Sequence, residues 1–559
     1  MPSAQAFACG TATPPPEQIP LRAGPLSLIY SHGDLRYIKS GETEVLRRVY
    51  VAVRDRNWGT VPATLSDVQI SARADSFEIS YVATHKQKEI EFVWRGHIRG
   101  ASDGTIAFSM DGEARSTFLR NRIGICVLHP AACAGLPCEV EHSNGEVERG
   151  AFPLYISPHQ PFFDIRSISH EPVSGVRAAV RFEGDVFEME DQRNWTDASY
   201  KTYCTPISEP YPVQVKEGTR IQQQVTLSLT GQTSEAAAPV TRPAHALTLT
   251  SEPPGRLPAL GVSVASHGEP LREMELERLR ALNLSHLHVS LHLAREDYAE
   301  TWERAVREAE ALGVPLLVSL LLGPAPEREV RDLAERIRAL RPEVVAWLVF
   351  REGEPTTRVE WVELVIQHVR DLYPDAPIGG GTDLYFTQLN REHPPTGALD
   401  PVSYSINPQV HAFDNLSLVE TLQAQPVTVE SARRFIGDAA VYVTPVTLRP
   451  RHNPDATDTA SAADPKELPA PVDARQATLL CAGWTLGSIA QLASSGVSRA
   501  TYYETTGWRG VMETSVGSPL PEHFPRLPGA VFPVYHVLGD IGEMASADVL
   551  PLASDAPLV

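Results

Sequence analysis

Carboxylates follow directly after apolar runs in the C-terminal half of the chain, where an active site could use them. Glu352 and Glu354 come after one such run, and Glu504 ends another. Two carboxylates in different surroundings can have different pKa values and so divide the acid and base steps of a hydrolysis. The pattern predicts catalytic roles for these residues, with one of Glu352 and Glu354 facing the pocket and the other solvated. The alternative is that each forms a structural ion pair with a neighbouring arginine.

Polar and aromatic residues lie at the ends of other apolar runs in the same half of the chain. Asp383 follows three consecutive glycines, and Asn407 and His411 follow a run rich in β-branched and aromatic residues. Trp508 could stack on the face of a sugar ring. A few polar groups beside an aromatic surface are typical of small-molecule sites. The sequence therefore predicts substrate contacts for Asp383, Asn407, His411 and Trp508.

The densest group of polar side chains lies in the N-terminal half, within residues 187–203. An ordinary edge strand needs far fewer hydrogen-bonding groups than this segment carries. They could bind a polyol and orient its carbonyl group. The alternatives are a solvated loop with internal ion pairs or a polar seam between two domains. The residues of this segment that we predict to bind substrate are Asp191, Arg193, Asn194, Trp195, Asp197 and Lys201.

The elements that would position the C-terminal residues follow a regular alternation. From about residue 258, apolar runs alternate with charged helical patterns, which is typical of parallel strands covered on both faces. Eight such units predict a (β/α)8 TIM-type barrel over residues 258–545, whose strand ends would form one pocket. A doubly wound open sheet is the alternative, but no G-x-G-x-x-G motif follows the first strand. The predicted strands are Leu260–Val264, Leu287–Leu291, Leu316–Leu321, Val345–Phe350, Ile378–Gly381, Val402–Ile406, Val441–Val446 and Arg499–Tyr503.

The first part of the chain has a different pattern. Runs such as Leu26–Tyr30 and Ile90–Trp94 alternate apolar and polar residues with a period of two. This alternation predicts antiparallel strands with one buried face, and hence an N-terminal β-sandwich over residues 1–232. Residues 233–257 are small, polar and rich in proline, which predicts a linker. Residues 546–559 are predicted to form a short C-terminal tail, and 449–470 a long loop after the seventh barrel strand.

Composition excludes several classes of function. The formal net charge is −20 at pH 7, and no basic stripe with interleaved aromatic residues is visible, so nucleic acid is not an expected partner. No apolar run is long enough to cross a membrane, and the first residues lack the layout of a secretory signal. Six irregularly spaced cysteines do not form a disulfide framework, so we expect a cytoplasmic protein. The sequence leaves the oligomeric state open.

One cluster of possible metal ligands stands out. His129, Cys133, Cys138 and His142 are all side chains that can bind zinc, but their spacing is not one of the common zinc patterns. A hairpin loop with incidental cysteines is the simpler interpretation. We therefore predict no metal and no cofactor.

Several long and unusual segments carry a resemblance to a known family. They are residues 53–60, 121–130, 160–166, 187–203, 380–383, 404–412 and 503–510. Together they span nearly the whole chain, which resembles the D-apionate lactonase family. The resemblance implies a β domain followed by a TIM barrel. It also implies hydrolysis of D-apionolactone to D-apionate, a step in the use of the plant sugar apiose.

Opening a lactone needs an activated water, a polarised carbonyl and a protonated leaving oxygen. Glu504 could act as the base and Glu352 or Glu354 as the acid, or the roles could be reversed. Arg193, Lys201 or Asn407 could stabilise the oxyanion. Two other functions remain open on the residues alone. One is a glycoside hydrolase that uses paired barrel glutamates, and the other is a non-catalytic sugar-binding protein.

Overall fold

The computed structural model of the 559-residue chain describes residues 4–231, 246–454 and 466–554. Four segments named above fall partly outside these ranges, the predicted N-terminal domain by residues 1–3 and 232. Residues 233–245 of the predicted linker, 455–465 of the predicted long loop and 555–559 of the predicted tail are not among the described residues.

The N-terminal part is built from antiparallel strands. Along Phe77–Gln87, for example, every second side chain is buried, because successive side chains of a strand point to opposite faces. Within residues 4–231, seventeen strands join into one hydrogen-bonded network, which confirms the predicted antiparallel β domain. A short helix, α1 (Ala4–Cys9), precedes them. The strands are β1 Ile19–Ala23, β2 Leu26–Ser31, β3 Asp34–Ser40, β4 Thr43–Asp55, β5 Ala63–Ala72, β6 Phe77–Gln87, β7 Ile90–Gly100, β8 Ile106–Ala114, β9 Phe118–Pro130, β10 Pro137–His142, β11 Val147–Ala151, β12 Phe162–Val173, β13 Val176–Glu183, β14 Phe187–Asp191, β15 Ser199–Tyr203, β16 Val213–Val215 and β17 Arg220–Gly231.

Four short strands connect the two ends of the C-terminal part. β18 (Leu247–Leu249) and β19 (Gly255–Arg256) come from the end of the predicted linker. They pair antiparallel with β30 (Leu552–Ser554) and β29 (Asp548–Val549), respectively. The chain therefore enters and leaves the barrel at the same place.

The C-terminal part is a closed barrel of eight parallel strands among the described residues, as the sequence predicts. Each strand pairs with the next, and the first pairs with the last. The strands are β20 Ala259–Ser263, β21 His286–His292, β22 Leu316–Leu322, β23 Val344–Arg351, β24 Ile378–Tyr385, β25 Pro401–Ile406, β26 Ala440–Val446 and β27 Arg499–Thr506, with β28 Gly510–Met512 added after β27. The helices are α2 Glu273–Arg280, α3 Tyr298–Leu312, α4 Pro326–Leu340, α5 Val359–Val369, α6 Phe386–Arg391, α7 Asn415–Glu420, α8 Gln425–Ile436, α9 Leu479–Ser494 and α10 Pro533–Gly542.

The barrel core lies between the strands and the surrounding helices. All seven residues of β22 are buried, as expected for a parallel strand covered on both faces. Trp302 of α3 and Trp347 of β23 are fully buried in the same cluster. This core fixes the strand ends, so the polar residues that follow each strand are held by a rigid frame.

The two parts of the chain meet along a polar seam. Asn194 of the N-terminal part accepts hydrogen bonds from Asn390 (3.0 Å) and Thr387 (2.9 Å), both on α6. Asp197 contacts His411, which follows β25, at 2.7 Å. The N-terminal part therefore packs against loops at the carboxyl end of the barrel. No helix in the described ranges combines the length and apolar character needed to cross a bilayer.

Candidate active site

A cavity of about 960 Å³ opens at the carboxyl ends of the barrel strands. This is the end at which barrel enzymes place their active sites, because the loops that follow the strands converge there. Four of the predicted site residues line it: Glu352, Glu354, Asp383 and Glu504. The loop after β26 contributes a further wall with Arg451 and His452.

Glu352 contacts a histidine that we did not predict. Its Oε1 lies 2.8 Å from Nδ1 of His292, the last residue of β21. An ionised carboxylate can only accept a hydrogen bond, so Nδ1 of His292 is the donor in this contact, and in the neutral ring Nε2 carries the lone pair. Both side chains line the cavity and both keep solvent contact. The pair has the arrangement of a general base whose ring is oriented by a carboxylate.

Glu354 is held differently, although it also lines the cavity. Its carboxylate pairs with Arg351 at 3.4 Å and Arg358 at 3.2 Å, and it accepts a hydrogen bond from Nε1 of Trp361 at 2.9 Å. These contacts use both of its oxygens to tie the loop after β23 to α5. The geometry gives Glu352 the more direct access to a bound molecule.

Glu504 of β27 is nearly buried at the opposite side of the cavity. Its Oε2 accepts hydrogen bonds from the backbone N–H and the hydroxyl of Ser266, each at 2.9 Å. Its Oε1 lies 3.2 Å from Arg509. These donors fix the carboxylate, which can still accept a hydrogen bond from a substrate hydroxyl.

Arginine side chains supply positive charge around the cavity. Arg451 forms an ion pair with Asp383 at 2.9 Å and so joins the loops after β24 and β26. Arg295 is exposed and also lines the cavity. Cations near a reacting carbonyl can stabilise an oxyanion, and of these two arginines Arg451 is held in place by its ion pair.

His288 lies deeper along β21 and is not suited to accept a proton. Its two ring nitrogens contact the hydroxyls of Ser263 and Ser319, each at 2.9 Å. Burial lowers the pKa of His288 to about 3, with a smaller contribution from Arg451. It is therefore neutral at pH 7 and shapes the cavity floor through its hydrogen bonds.

The other predicted substrate-binding residues lie outside the lining of this cavity. Asn407 is buried and donates to the hydroxyl of Thr447, which does line the cavity, at 2.8 Å. Trp508 is partly buried against the barrel core. Asp191 and Arg193 form a buried ion pair at 2.7 Å. The remaining residues lie in or beside the seam: Asn194, Trp195, Asp197, Lys201 and His411.

The sequence did carry a signal for the residues that we missed. His292 lies at the carboxyl end of a barrel strand, and residues at such positions, Glu352 and Glu504 among them, are the ones that the sequence analysis selects. The apolar run Leu287–Leu291 predicts the strand itself, and the histidine that follows the run is not among the predicted site residues. Ser266 follows the first strand in the same way. Arg451 lies in the predicted long loop after the seventh strand, and its partner Asp383 was already a predicted site residue.

The four residues that could bind zinc do not form one cluster in the structure. His142 lies near Glu148, at 3.4 Å, whereas Cys133 contacts His170 at 3.7 Å. His129 is fully buried beside His170. Within the residues that the structure describes, no three His, Cys, Asp or Glu side chains are arranged to hold a metal ion.

Comparisons with known structures find only weak structural similarity. An exo-β-1,4-mannosidase from Opitutaceae bacterium strain TAV5 has a TM-score of 0.35 and 12% identity, covering 52% of this chain and 60% of that one. A GH53 catalytic domain from Ignisphaera aggregans has a TM-score of 0.33 and 12% identity, covering 50% of this chain and 95% of that one. Similarities at this level do not bear on function.

Sequence comparisons give a much stronger match. The family model described as D-apionate lactonase, N-terminal domain, matches residues 6–232, and the one described as D-apionate lactonase, TIM barrel domain, matches residues 260–546. A D-apionate lactonase from Brucella anthropi is 31% identical over 558 residues, which covers 96% of this chain and 89% of that protein. Both parts of the chain match, in the same order. The chain therefore belongs to the D-apionate lactonase family.

Proposed function

We propose that this chain is a lactone hydrolase that opens D-apionolactone to D-apionate in apiose catabolism, using the cavity at the carboxyl end of the barrel. Family membership supports the reaction. The observation that carries the assignment of the site is the pair formed by His292 and Glu352 at the edge of an open cavity with both polar and apolar lining. A base oriented in this way is what lactone hydrolysis needs.

The proposed reaction uses His292 twice. Nε2 of His292 takes a proton from a water molecule as the water oxygen forms a bond to the lactone carbonyl carbon. The carbonyl oxygen becomes an oxyanion, which the cavity arginines stabilise. When the carbonyl reforms, the bond from the carbonyl carbon to the ring oxygen breaks. The imidazolium gives its proton to that oxygen, which becomes a hydroxyl, and the new carboxylic acid ionises to a carboxylate.

Glu352 and Glu504 have separate roles in this scheme. Glu352 is a positioning residue, because it acts through His292 by holding the proton on Nδ1 and stabilising the imidazolium. Glu504, fixed by Ser266 and Arg509, accepts a hydrogen bond from a sugar hydroxyl and orients the ring. This division differs from the scheme in which two glutamates act as acid and base.

The two glutamates after β23 provide a matched comparison. We expect Glu352→Gln to lower kcat by about 10²-fold, because an amide cannot stabilise the imidazolium of His292. Glu354→Gln is expected to leave kcat within about threefold, since Glu354 is used in partly exposed ion pairs. Initial rates with D-apionolactone across pH 5–9 would measure both. Equal losses of kcat for the two variants, with unchanged pH profiles, would contradict a special role for Glu352.

Substitution of Glu504 tests the orienting role. We expect Glu504→Gln to lower kcat/KM by about 10- to 100-fold, because a hydrogen bond to a charged group contributes about 1.5–3 kcal/mol. The matched control is Glu513→Gln, since Glu513 is also buried near β27 but is absent from the cavity lining. Turnover of Glu504→Gln close to that of the parent chain would remove Glu504 from the site.

A single assay tests the function itself. Purified chain is mixed with D-apionolactone in a weakly buffered pH-indicator solution, beside aryl glycosides, with and without a chelator. Release of acid from the lactone, above the spontaneous rate and abolished in His292→Gln, is the expected result. Aryl release from a glycoside without acid release from the lactone would instead identify a glycosidase, and would make Glu352 and Glu504 its acid and nucleophile.

A further inference from the structure

Arg451 is carried into the barrel cavity by the loop after β26, residues 447–454. Its Nη2 donates to both the backbone carbonyl and the carboxylate of Asp383. Among the residues that the structure describes, its Nη1 and Nε have no hydrogen-bond partner, so they can donate to a bound molecule. The use of this guanidinium in the reaction therefore depends on what holds the loop in position.

The loop after β25 supports the loop after β26. Asn407 donates from its amide to the hydroxyl of Thr447 at 2.8 Å, and Gln409 donates to the backbone carbonyl of Leu448 at 2.7 Å. Both donor side chains belong to residues that are at most 4% exposed, so water competes little for these hydrogen bonds. A movement of the loop after β25 would therefore also move the loop that carries Arg451.

The N-terminal part of the chain holds the loop after β25 at His411. Arg54 of β4, which is 7% exposed, donates through Nη2 to the backbone carbonyl of His411 at 3.0 Å. Nδ1 of His411 lies 2.7 Å from Oδ2 of Asp197. The N-terminal part thus fixes both the main chain and the side chain of His411, two residues beyond Gln409.

The N-terminal part also contacts the loop after β26 directly. Nδ2 of Asn453 donates to the backbone carbonyl of Asn57 at 3.0 Å. Asn453 lies two residues beyond Arg451, and Asn57 lies three residues beyond Arg54. One short turn of the N-terminal part therefore contacts both of the loops that position Arg451.

This turn, between β4 and β5, is held in a defined shape. Oδ1 of Asp55 accepts hydrogen bonds from the backbone N–H of Asn57 (2.8 Å) and of Gly59 (2.7 Å). Trp58 has a φ of 66°, in the left-handed region that non-glycine residues seldom adopt, and its carbonyl accepts a hydrogen bond from Arg54 at 3.2 Å. Backbone conformations of this kind cluster at functional sites.

We propose that the N-terminal part contributes to catalysis, because its turn at residues 54–60 positions Arg451 through the loops after β25 and β26. Arg54 and Asn453 are positioning residues in this scheme, and neither lines the cavity. The inference rests on the proposed function, which assigns the cavity arginines to the oxyanion. It goes beyond that function by giving a role in the reaction to the turn, which lies within one of the unusual segments of the sequence.

Arg47 offers a matched control for Arg54. It is also a buried arginine of β4 that reaches the barrel, where it lies 3.7 Å from Glu420 and donates to Gln423 at 3.2 Å. These partners lie on α7 and directly after it, and none of the three residues lines the cavity. Arg54→Lys and Arg47→Lys both keep the positive charge and lose the planar set of donors. If Arg54 only joined the two parts of the chain, the two variants would have similar kinetics.

Steady-state kinetics with D-apionolactone test whether Arg54 acts through Arg451. Arg54→Lys is expected to lower kcat by about 10- to 100-fold, because a small displacement of a group that acts in the transition state can have an effect of this size. KM should change little, and Arg47→Lys should leave both constants unchanged. Equal losses of kcat in the two variants would overturn the proposal.

A double-mutant cycle makes this test specific to Arg451. In an Arg451→Gln background, the further effect of Arg54→Lys on kcat should shrink to about twofold or less, because the group that Arg54 positions is gone. An undiminished effect of Arg54→Lys in that background would show that Arg54 acts elsewhere, and would also overturn the proposal.

A second variant covers the case in which Arg54→Lys folds poorly. The side chain of Asn453 is exposed, so Asn453→Ala should fold like the parent chain. Loss of its hydrogen bond to Asn57 is expected to lower kcat by about 2- to 10-fold, with little change in KM. A kcat equal to that of the parent chain, in protein with the parent's circular dichroism spectrum, would contradict the proposal.

Hydrogen exchange tests the positioning without any substrate. Peptides covering residues 447–454 should exchange faster in Arg54→Lys than in the parent chain, and at the parent rate in Arg47→Lys, because only the first change removes support from this loop. Equal exchange of this loop in all three proteins would overturn the proposal. Faster exchange in Arg54→Lys, together with a parent chain that does not open the lactone, would contradict the proposed function and still support the positioning of the loop by the N-terminal part.

Discussion

Replacing His292 with glutamine is expected to lower kcat for D-apionolactone by about 10²- to 10⁴-fold, the usual contribution of a general base. Glutamine keeps a hydrogen-bonding group near Glu352 but cannot take a proton from water. KM should change little, because His292 acts on the water and not on the sugar hydroxyls. Stopped-flow or indicator assays at several lactone concentrations would separate the two constants.

The chain contains a control that matches this pair closely. His97 and Glu78 also form a histidine–glutamate contact at 2.8 Å, but on the exposed surface of the N-terminal sheet. His97→Gln is expected to leave kcat and KM unchanged. If His292→Gln turned over at the rate of His97→Gln, His292 would not be the base, and Glu504 would be the next residue to test.

Much of the fold could be predicted because the spacing of apolar residues indicates each strand and helix, and the alternation of strands and helices indicates the barrel. The helix at Tyr298–Leu312 and the strand at Leu316–Leu322 follow from a 3.6-residue period and from a short apolar run, respectively. Each apolar run had to be covered on both faces, which required helices between the strands. The position of Glu504 at the carboxyl end of β27 follows from the same reasoning.

The partners of the site residues could not be predicted in the same way. His292 and Glu352 are 60 residues apart; His292 ends β21 and Glu352 follows β23, and these two strands are not neighbours in the barrel. Asp197 and His411 are 214 residues apart and belong to different parts of the chain. Such pairs depend on the stagger of the strands and on how the two parts dock, neither of which leaves a periodic signal in the sequence.

Besides Glu504, a second buried carboxylate, that of Asp473, holds together the loops that form the cavity wall. Asp473 accepts hydrogen bonds from Arg475 (2.7 Å), Gln409 (2.8 Å) and Arg449 (3.2 Å). Gln409 belongs to the loop after β25, and Arg449 to the loop that carries Arg451 into the cavity. Asp473 therefore connects the loops after two neighbouring strands, and its side chain is only 4% exposed.

Asp473→Ala is expected to lower the free energy of unfolding by about 3–5 kcal/mol, because it leaves the buried Arg475 without its charged partner. The control is Asp111→Ala, which removes an exposed partner of Arg220 and should cost no more than about 1 kcal/mol. Urea titrations at pH 7, followed by tryptophan fluorescence, would measure both. Similar costs for the two variants would show that the buried cluster adds little to stability.

The charges around Asp473 also predict how the difference in unfolding free energy between the parent chain and Asp473→Ala varies with pH. Burial alone would raise the pKa of Asp473, but Arg475 and Arg449 outweigh it and hold the pKa well below its usual range. A carboxyl whose pKa is lowered on folding contributes stability above its unfolded pKa, about 3.9, and loses that contribution as the pH falls toward the folded value. The gap between the parent chain and Asp473→Ala should therefore be constant from pH 8 to about pH 5 and narrow below about pH 4. A gap that stayed constant down to pH 3 would mean that packing, and not charge, accounts for the cost of removing Asp473.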